Sequence, residues 1–178
     1  MDCITVNGRE FSIRRLLGKG KGGYSYLAED ESGLYVVKQI HHEPCAYYTF
    51  GDKLASECCD YQRLTALGLT MPKLLDVDHA QERLLKAYIP GETMDRLILR
   101  DEVPAEARQQ LQAMCDLLYP AGLNIDYFPT NFIFHQGRLY YIDYECNGYM
   151  AEWDYEHWRR KYWYRTDEFL AHFQEKNE

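Results

Sequence analysis

Three polar side chains stand at the ends of short apolar segments in the second half of the chain. Asp126 and Asn131 lie in NIDYFPTNFIF, residues 124–134, where Pro129 stiffens the loop between them. Asp143 directly follows the apolar run LYYI. A carboxylate can accept a proton, and carboxylate and amide oxygens are ligands for hard cations. The pattern indicates a general base beside a cation site; alternatively, the first two residues cap a turn and the third closes a hairpin.

A glycine-rich segment near the start of the chain has the spacing of a phosphate-binding loop. Gly18, Gly20 and Gly23 follow the pattern G-x-G-x-x-G between two segments that alternate like strands. Without Cβ atoms, such a loop can bring backbone N–H groups close to phosphates. A dinucleotide-binding fold would need a helix after the third glycine, and YSYLAED alternates like a strand instead. The segment fits a phosphate-binding loop or an ordinary turn.

A lysine interrupts the apolar strand-like segment YVVKQI. Burying the unpaired ammonium of Lys38 would be costly, so the side chain needs an anionic partner. Glu57, on the next predicted helix, is a candidate partner that would hold the lysine ready for phosphate oxygens. The alternative is a lysine at a strand edge whose head group reaches water.

The elements that must position these residues change in type along the chain. Alternating segments up to residue 40 predict strands, and apolar residues at three- and four-residue spacing predict a helix that Gly68 ends. Two further strand-like segments precede Pro90-Gly91, and helical patterns dominate after it. We therefore predict an α+β chain, with a strand-rich lobe over residues 1–89 and a reduced helical lobe over residues 90–178.

The composition of the 178-residue chain excludes several classes of function. A net charge of -8 argues against binding to nucleic acid or an anionic membrane. No apolar run approaches the roughly 18 residues that a membrane helix needs, and the first residues lack a signal-peptide pattern, so a cytoplasmic location is expected. None of the six cysteines forms a C-x-x-C pair, which favours reduced thiols over a zinc site.

Taken together, these motifs resemble the protein-kinase-like superfamily in a miniature form. The resemblance runs from about Phe11 to Glu145, and its motifs occur in the order of the family. The segment IDYE, which stands in place of D-F-G, is more similar to small atypical kinases and to aminoglycoside or choline phosphotransferases. The matching segments are GKGKGG for the glycine-rich loop, VVKQI for the lysine strand, Glu57 for the helix-C glutamate, LLKAYIPGE for the hinge, NIDYFPTN for H-R-D-x-x-x-x-N, and IDYE for D-F-G.

The resemblance implies a site for ATP and Mg2+. It implies that Asp126 orients the acceptor hydroxyl and takes its proton, while Lys38, held by Glu57, binds the α- and β-phosphates. Asn131 and Asp143 would hold the magnesium ion. The other implied nucleotide contacts are Gly18, Gly20 and Gly23 over the phosphates, and the backbone of Lys86, Ala87, Tyr88 and Ile89 at the adenine.

The sequence also departs from the family at positions that matter for the reaction. Asn124 replaces the catalytic-loop histidine, and Ile125 replaces the arginine that docks a phosphorylated activation loop. Phe128 stands where protein kinases carry a lysine that contacts the transferred phosphoryl group, so one cation is missing there. No A-P-E segment follows Asp143, so an activation loop and a full peptide-docking lobe are not expected.

These features predict an ATP- and magnesium-dependent phosphotransferase, an atypical serine/threonine kinase that acts on itself or on a protein partner. Two alternatives stay open: a nucleotide-binding pseudokinase that regulates a partner, and a small-molecule kinase. The aromatic tail also has two interpretations. Trp153, Trp158 and Trp163, at five-residue spacing, cover the second lobe or form a docking surface.

Overall fold

The structure is a computed structural model that describes residues 2–44 and 51–174. It is a mixed α/β chain that divides into two compact units. Met1–Cys59 and Pro72–Tyr88 make up the first unit, and Asp60–Met71 and Ile89–Glu178 make up the second. One helix therefore contributes residues to both units.

The first unit is built on a curled antiparallel sheet of six strands in the order β1-β2-β3-β4-β6-β5. Successive side chains of a strand point to opposite faces of the sheet, and the central strands β4 and β6 also bury consecutive residues. The strands are β1 Cys3–Val6, β2 Arg9–Lys19, β3 Gly23–Asp30, β4 Gly33–Ile40, β5 Leu74–Asp78 and β6 Arg83–Ala87, and helix α1, Lys53–Ala66, follows β4.

Apolar side chains from the five neighbouring strands β1, β2, β3, β4 and β6 form the core of the first unit. Val6 and Phe11 from the first hairpin, Val37 from β4 and Leu85 from β6 are at most 2% exposed. The ring of Tyr35 meets that of Phe11 edge-on at 5.5 Å. Because β4 lies between β3 and β6, its polar residues are placed in the middle of the sheet and not at an edge.

The second unit surrounds a large aromatic and aliphatic core with short elements. Helix α3 contributes the buried Leu111 and Leu118, and the hairpin β8–β9 contributes Phe132 and Tyr141, all of them fully buried. The elements are α2 Met94–Leu99, α3 Ala105–Leu118, β7 Leu123–Asn124, β8 Phe132–His135, β9 Arg138–Tyr141, β10 Asn147–Gly148 and α4 Asp167–Gln174.

The aromatic tail folds as a series of tight turns before α4. Tyr155–Arg159 is a single π-helical turn, and Arg160–Trp163 continues as a 3-10 turn. Trp163 is fully buried, and its indole N–H donates to the Tyr127 carbonyl oxygen at 2.7 Å. Trp153 is 45% exposed. The end of the tail at Trp163 is therefore part of the core, and the end at Trp153 is not.

The described residues include no helix with the length and apolar character to span a membrane.

Candidate active site

Lys38 and Glu57 form an ion pair in the first unit. Lys38 lies on β4 with Ser25 and Leu84 as its neighbours across the sheet, so it is not at a strand edge. Its Nζ pairs with Oε1 of Glu57 on α1. Only 11% and 12% of the two side chains are exposed, respectively. The structure therefore brings together the two residues that the sequence proposed as partners.

The glycine-rich segment forms a tight turn against this ion pair. The Gly20 N–H donates to the Gly23 carbonyl oxygen at 2.9 Å, which closes the turn between β2 and β3. A Cβ atom on Gly22 would lie 3.1 Å from Oε1 of Glu57 and 3.5 Å from Nζ of Lys38. The backbone of the turn therefore passes directly against the buried charges.

The three glycines chosen from their spacing have different surroundings. A Cβ atom on Gly23 would lie 2.2 Å from the Gln39 carbonyl oxygen, so no side chain fits there. Gly18 lies within β2, and its Cβ would meet nothing within 4 Å. Gly22, which approaches the ion pair, was not among the predicted residues. The sequence signal that marks it is the adjacent pair Gly22-Gly23.

A buried lysine ties the glycine turn to the segment after β4. The ammonium of Lys53, at the start of α1, donates to the Lys21 carbonyl at 3.3 Å and to the His41 carbonyl at 2.5 Å. The His41 N–H in turn donates to the Gly22 carbonyl at 3.3 Å. These bonds fix the conformation of the turn. No pattern in the sequence indicates Lys53, because its role depends on three segments that meet in space.

The predicted adenine-binding segment begins in the last strand of the first unit. Lys86, on β6, is 5% exposed and lies opposite Val36. The Ala87 N–H donates to the Lys73 carbonyl at 2.9 Å, so this N–H is already engaged within the sheet. Tyr88 and Ile89, which follow the strand, are half-buried.

In the second unit, Asp126 and Asn131 lie at the two ends of one tight loop. The Asn131 side-chain amide donates to the Asp126 carbonyl oxygen at 3.2 Å, and the Asn131 N–H donates to the Phe128 carbonyl at 2.9 Å. Oδ1 of Asp126 accepts from the Phe128 N–H at 3.2 Å. Pro129 opens a 3-10 turn inside the loop, and its fixed φ suits the first position of that turn.

The hairpin β8–β9 places Asn131 and Asp143 at the same end. Phe132 and Tyr141 are partners across the hairpin, and one step further the Ile142 N–H donates to the Asn131 carbonyl at 2.9 Å. Asp143 follows immediately, and its Oδ1 accepts from the Tyr144 N–H at 2.9 Å. The sequence predicted this neighbourhood from two polar residues that flank two apolar segments.

Tyr141 lies among the predicted acidic residues of the site. Burial raises the pKa of the Tyr141 hydroxyl well above its ordinary value, and the nearby charges of Asp143 and Asp126 raise it further. The hydroxyl donates to the Glu145 carbonyl at 2.9 Å. A tyrosine that stays protonated adds no negative charge of its own to this end of the hairpin.

The side-chain oxygens of Asn131 and Asp143 are of the kind that could hold a magnesium ion together with phosphate. Because the amide nitrogen of Asn131 donates to the Asp126 carbonyl, its Oδ1 is the side-chain atom that could bind a cation. Magnesium is commonly held by one or two protein oxygens, with phosphate oxygens and water completing its shell. Residues 2–44 and 51–174 contain no group of three or more His, Cys, Asp or Glu residues able to hold a metal without such help.

A residue of the tail that the sequence did not single out lies against the candidate base. Nε of Arg159 is 3.5 Å from Oδ1 of Asp126, and its guanidinium lies over the Phe128 ring at 4.8 Å. Burial lowers the pKa of Arg159 and the charge of Asp126 opposes that shift, although an arginine stays charged in proteins. No spacing in the sequence connects Arg159 with Asp126, because the tail must fold back to bring them together.

Comparison with known proteins gives no assignment, since neither a family model nor a curated protein matches the chain. The described residues therefore carry the functional interpretation. The first unit contains a buried Lys38–Glu57 pair beneath a glycine turn. The second contains Asp126 and Asp143 near Tyr141, with Asn131 bonded to the Asp126 carbonyl.

Proposed function

We propose that the chain is an ATP- and magnesium-dependent phosphotransferase with a two-lobed protein-kinase-like fold. It transfers the γ-phosphoryl group of ATP to an alcohol hydroxyl, as an atypical serine/threonine kinase that acts on itself or on a protein partner. The observation that supports this most directly is the buried Lys38–Glu57 pair with the Gly22 backbone against it.

A buried ion pair beneath a glycine turn is better explained by ligand binding than by stability. Taking two charges out of water costs about as much as their attraction returns, so apolar residues of similar volume would serve a purely structural role at least as well. A fixed ammonium at 11% exposure, next to the Gly22 backbone, which carries no side chain, is suited to phosphate oxygens. Glu57 then holds Lys38 in one position whether or not a nucleotide is bound.

The residues of the second unit supply the remaining roles. The proton of the acceptor hydroxyl passes to the carboxylate of Asp126, whose side chain is 40% exposed. The acceptor oxygen forms a bond to the γ-phosphorus, the bond from that phosphorus to the bridging oxygen breaks, and ADP leaves with the electron pair. Asn131 and Asp143 would hold magnesium, which when bound neutralises charge on the β- and γ-phosphates.

The proposal is tested by calorimetric titration of the protein with ATP, with and without magnesium, followed by measurement of ADP release from the same samples. The test variant is Asp126→Asn, which keeps the shape of the side chain and removes the base. The matched control is Asp116→Asn, at an exposed position on α3. Incorporation of the γ-phosphate into the protein then reports whether the chain is its own acceptor.

We expect binding that requires magnesium and a slow release of ADP that Asp126→Asn abolishes and Asp116→Asn preserves. Binding without any turnover would reject the enzyme and favour a nucleotide-binding regulatory protein. No binding in either condition would reject both. Loss of turnover in the two variants alike would show that Asp126 has no special role.

A further inference from the structure

The guanidinium of Arg159 lies beside the residue proposed as the base. Its Nε is 3.5 Å from Oδ1 of Asp126. This distance is short enough for an ion pair but longer than that of a good hydrogen bond. The Arg159 side chain is 18% exposed, against 40% for Asp126. A partly buried cation therefore borders an accessible carboxylate.

Aromatic rings fix the guanidinium in this position. Its central carbon lies 3.3 Å from the centroid of the Trp158 ring, 4.8 Å from that of Phe128 and 5.8 Å from that of Tyr162. A planar guanidinium stacks well on such faces, and the stacking limits its rotation. Phe128 stands where the resemblance to protein kinases would place a lysine, and its ring contacts a cation from another part of the chain.

The backbone that carries Arg159 is unusual and well anchored. Arg159 is the last residue of the π-helical turn Tyr155–Arg159, and turns of this type are rare and often occur at functional sites. The turn starts at Asp154, which is 3% exposed and accepts from the His157 N–H at 2.9 Å. Tyr155 is buried beneath it. The position of the arginine is therefore set by the core.

One donor of Arg159 is not fully satisfied within the described part of the protein. Its Nε is buried and has no hydrogen-bond partner among the described residues, and the Asp126 carboxylate lies 3.5 Å away. A guanidinium has five N–H donors in a fork that matches phosphate oxygens. Partly burying a cation with a donor left without a hydrogen bond is costly, so the oxygens of an anionic ligand, in addition to the carboxylate of Asp126, would complete this site.

On the proposed function, the anion that reaches this place is the transferring phosphoryl group. The acceptor hydroxyl gives its proton to Asp126, so the phosphorus that this oxygen attacks must lie within a few ångströms of that carboxylate. We propose that Arg159 is a catalytic residue whose terminal N–H groups bind the phosphoryl oxygens during transfer, and that it supplies the charge missing at Phe128. This inference rests on the phosphotransferase proposal.

The chemistry assigned to Arg159 is electrostatic and leaves the balance of the reaction unchanged. The proton still moves from the hydroxyl to Asp126, and ADP still leaves with the electron pair of the broken bond. Charge is spread over the three outer oxygens of the phosphoryl group in the transition state, and a fixed guanidinium stabilises it without reorganisation. Its effect should therefore appear in kcat more than in the affinity for ATP.

The test compares Arg159→Met with Arg160→Met in magnesium-ATP turnover, measured as ADP release. Arg160 is the next residue, begins the following 3-10 turn and is exposed, so its replacement removes the same charge without removing the partner of Asp126. We expect Arg159→Met to lower kcat about 100-fold, as loss of one transition-state donor does, while Arg160→Met stays within about twofold. The ATP dissociation constant, by calorimetry, should change less than about twofold in both.

A purely structural role for Arg159 predicts a different set of results. It would lower the thermal unfolding midpoint and reduce the amount of active protein, without a selective loss of kcat in the folded fraction. Arg159→Gln, which keeps a planar group against the rings, replaces Arg159→Met if that variant does not fold. A kcat that falls for both neutral replacements and is partly retained by Arg159→Lys supports the proposal.

Failure of this inference can be separated from failure of the proposed function. If Arg159→Met or Arg159→Gln turns over ATP within twofold of the parent while Asp126→Asn is inactive, the role of Arg159 is wrong and the phosphotransferase stands. If the parent protein releases no ADP with magnesium-ATP, both proposals are wrong.

Discussion

Replacing Lys38 by methionine tests the buried ion pair without reference to any ligand. Methionine keeps most of the length of the side chain but removes the charge. Glu57 is 12% exposed, its Oε2 is buried and has no hydrogen-bond partner among the residues that the structure describes, and its Oε1 faces the Lys38 ammonium. After Lys38→Met, the carboxylate would therefore lie in the protein without the cation that balances it.

The expected loss follows from the burial of the pair. Removing one member of a buried ion pair costs about 3–5 kcal/mol, because the remaining charge stays desolvated. About a tenth of each side chain reaches water, so we expect the lower end, about 3 kcal/mol in the free energy of unfolding. Replacing both residues, as Lys38→Met/Glu57→Leu, should recover most of that loss, since neither charge then remains.

The assay is urea unfolding of the parent, the two single variants and the double variant, followed by circular dichroism. The four free energies of unfolding give the coupling energy between the two positions. Arg100→Met is the control: Arg100 pairs with Glu92 at 2.6 Å, and the two side chains are 42% and 55% exposed. Water screens an exposed pair, so no comparable loss is expected there.

Two results would refute the structural interpretation of the pair. In the first, Lys38→Met loses no more free energy of unfolding than Arg100→Met. In the second, the double variant is as unstable as Lys38→Met alone, so that the loss comes from Lys38 packing and not from an unbalanced Glu57 carboxylate. Either result would also remove the main support for a phosphate-binding role of this lysine.

Two further predictions concern the packing of particular residues. Gly23→Ala should lower the free energy of unfolding by about 1–3 kcal/mol, because its Cβ would lie 2.2 Å from the Gln39 carbonyl oxygen. The Cβ of Gly18→Ala would lie in open space, so this variant should stay within about 0.5 kcal/mol of the parent in the same urea experiment. Equal losses would contradict the contact. Burial raises the pKa of the Cys115 thiol to about 12, so at pH 8 it stays protonated and should resist iodoacetamide, while the exposed Cys59 is alkylated. Mass spectrometry of tryptic peptides measures both, and equal labelling would refute the prediction.

The strands that carry Lys38 and Gly23 could be predicted because their signal is local. Side chains in a strand alternate between two faces, so YSYLAED and LYVVKQI identify β3 and β4 from short windows. Helix α1 followed in the same way from the spacing of its apolar residues. The partnership of Lys38 with Glu57 was one of two open interpretations, and the central position of β4 favours it.

Features that depend on chain folding over long distances were missed. The Lys53 ammonium donates to two carbonyl oxygens from different segments. Arg159 pairs with Asp126, which lies in a loop far earlier in the chain. Helical patterns are expected throughout the chain after Pro90-Gly91, and residues 151–163 form 3-10 and π-helical turns, while a regular helix returns at α4. Burial of Trp163 in the core determines the path of this segment more strongly than helix propensity does.

The stacking of Arg159 on Trp158 also gives the protein an intrinsic optical reporter. The guanidinium lies 3.3 Å from the indole centroid, and a change in charge at that distance alters the emission of the chromophore. The indole of Trp163 is fully buried and hydrogen-bonded to backbone, so its emission provides a constant background. Stopped-flow fluorescence of the chain carrying Trp153→Phe can therefore follow events at Arg159 in real time, without an attached dye.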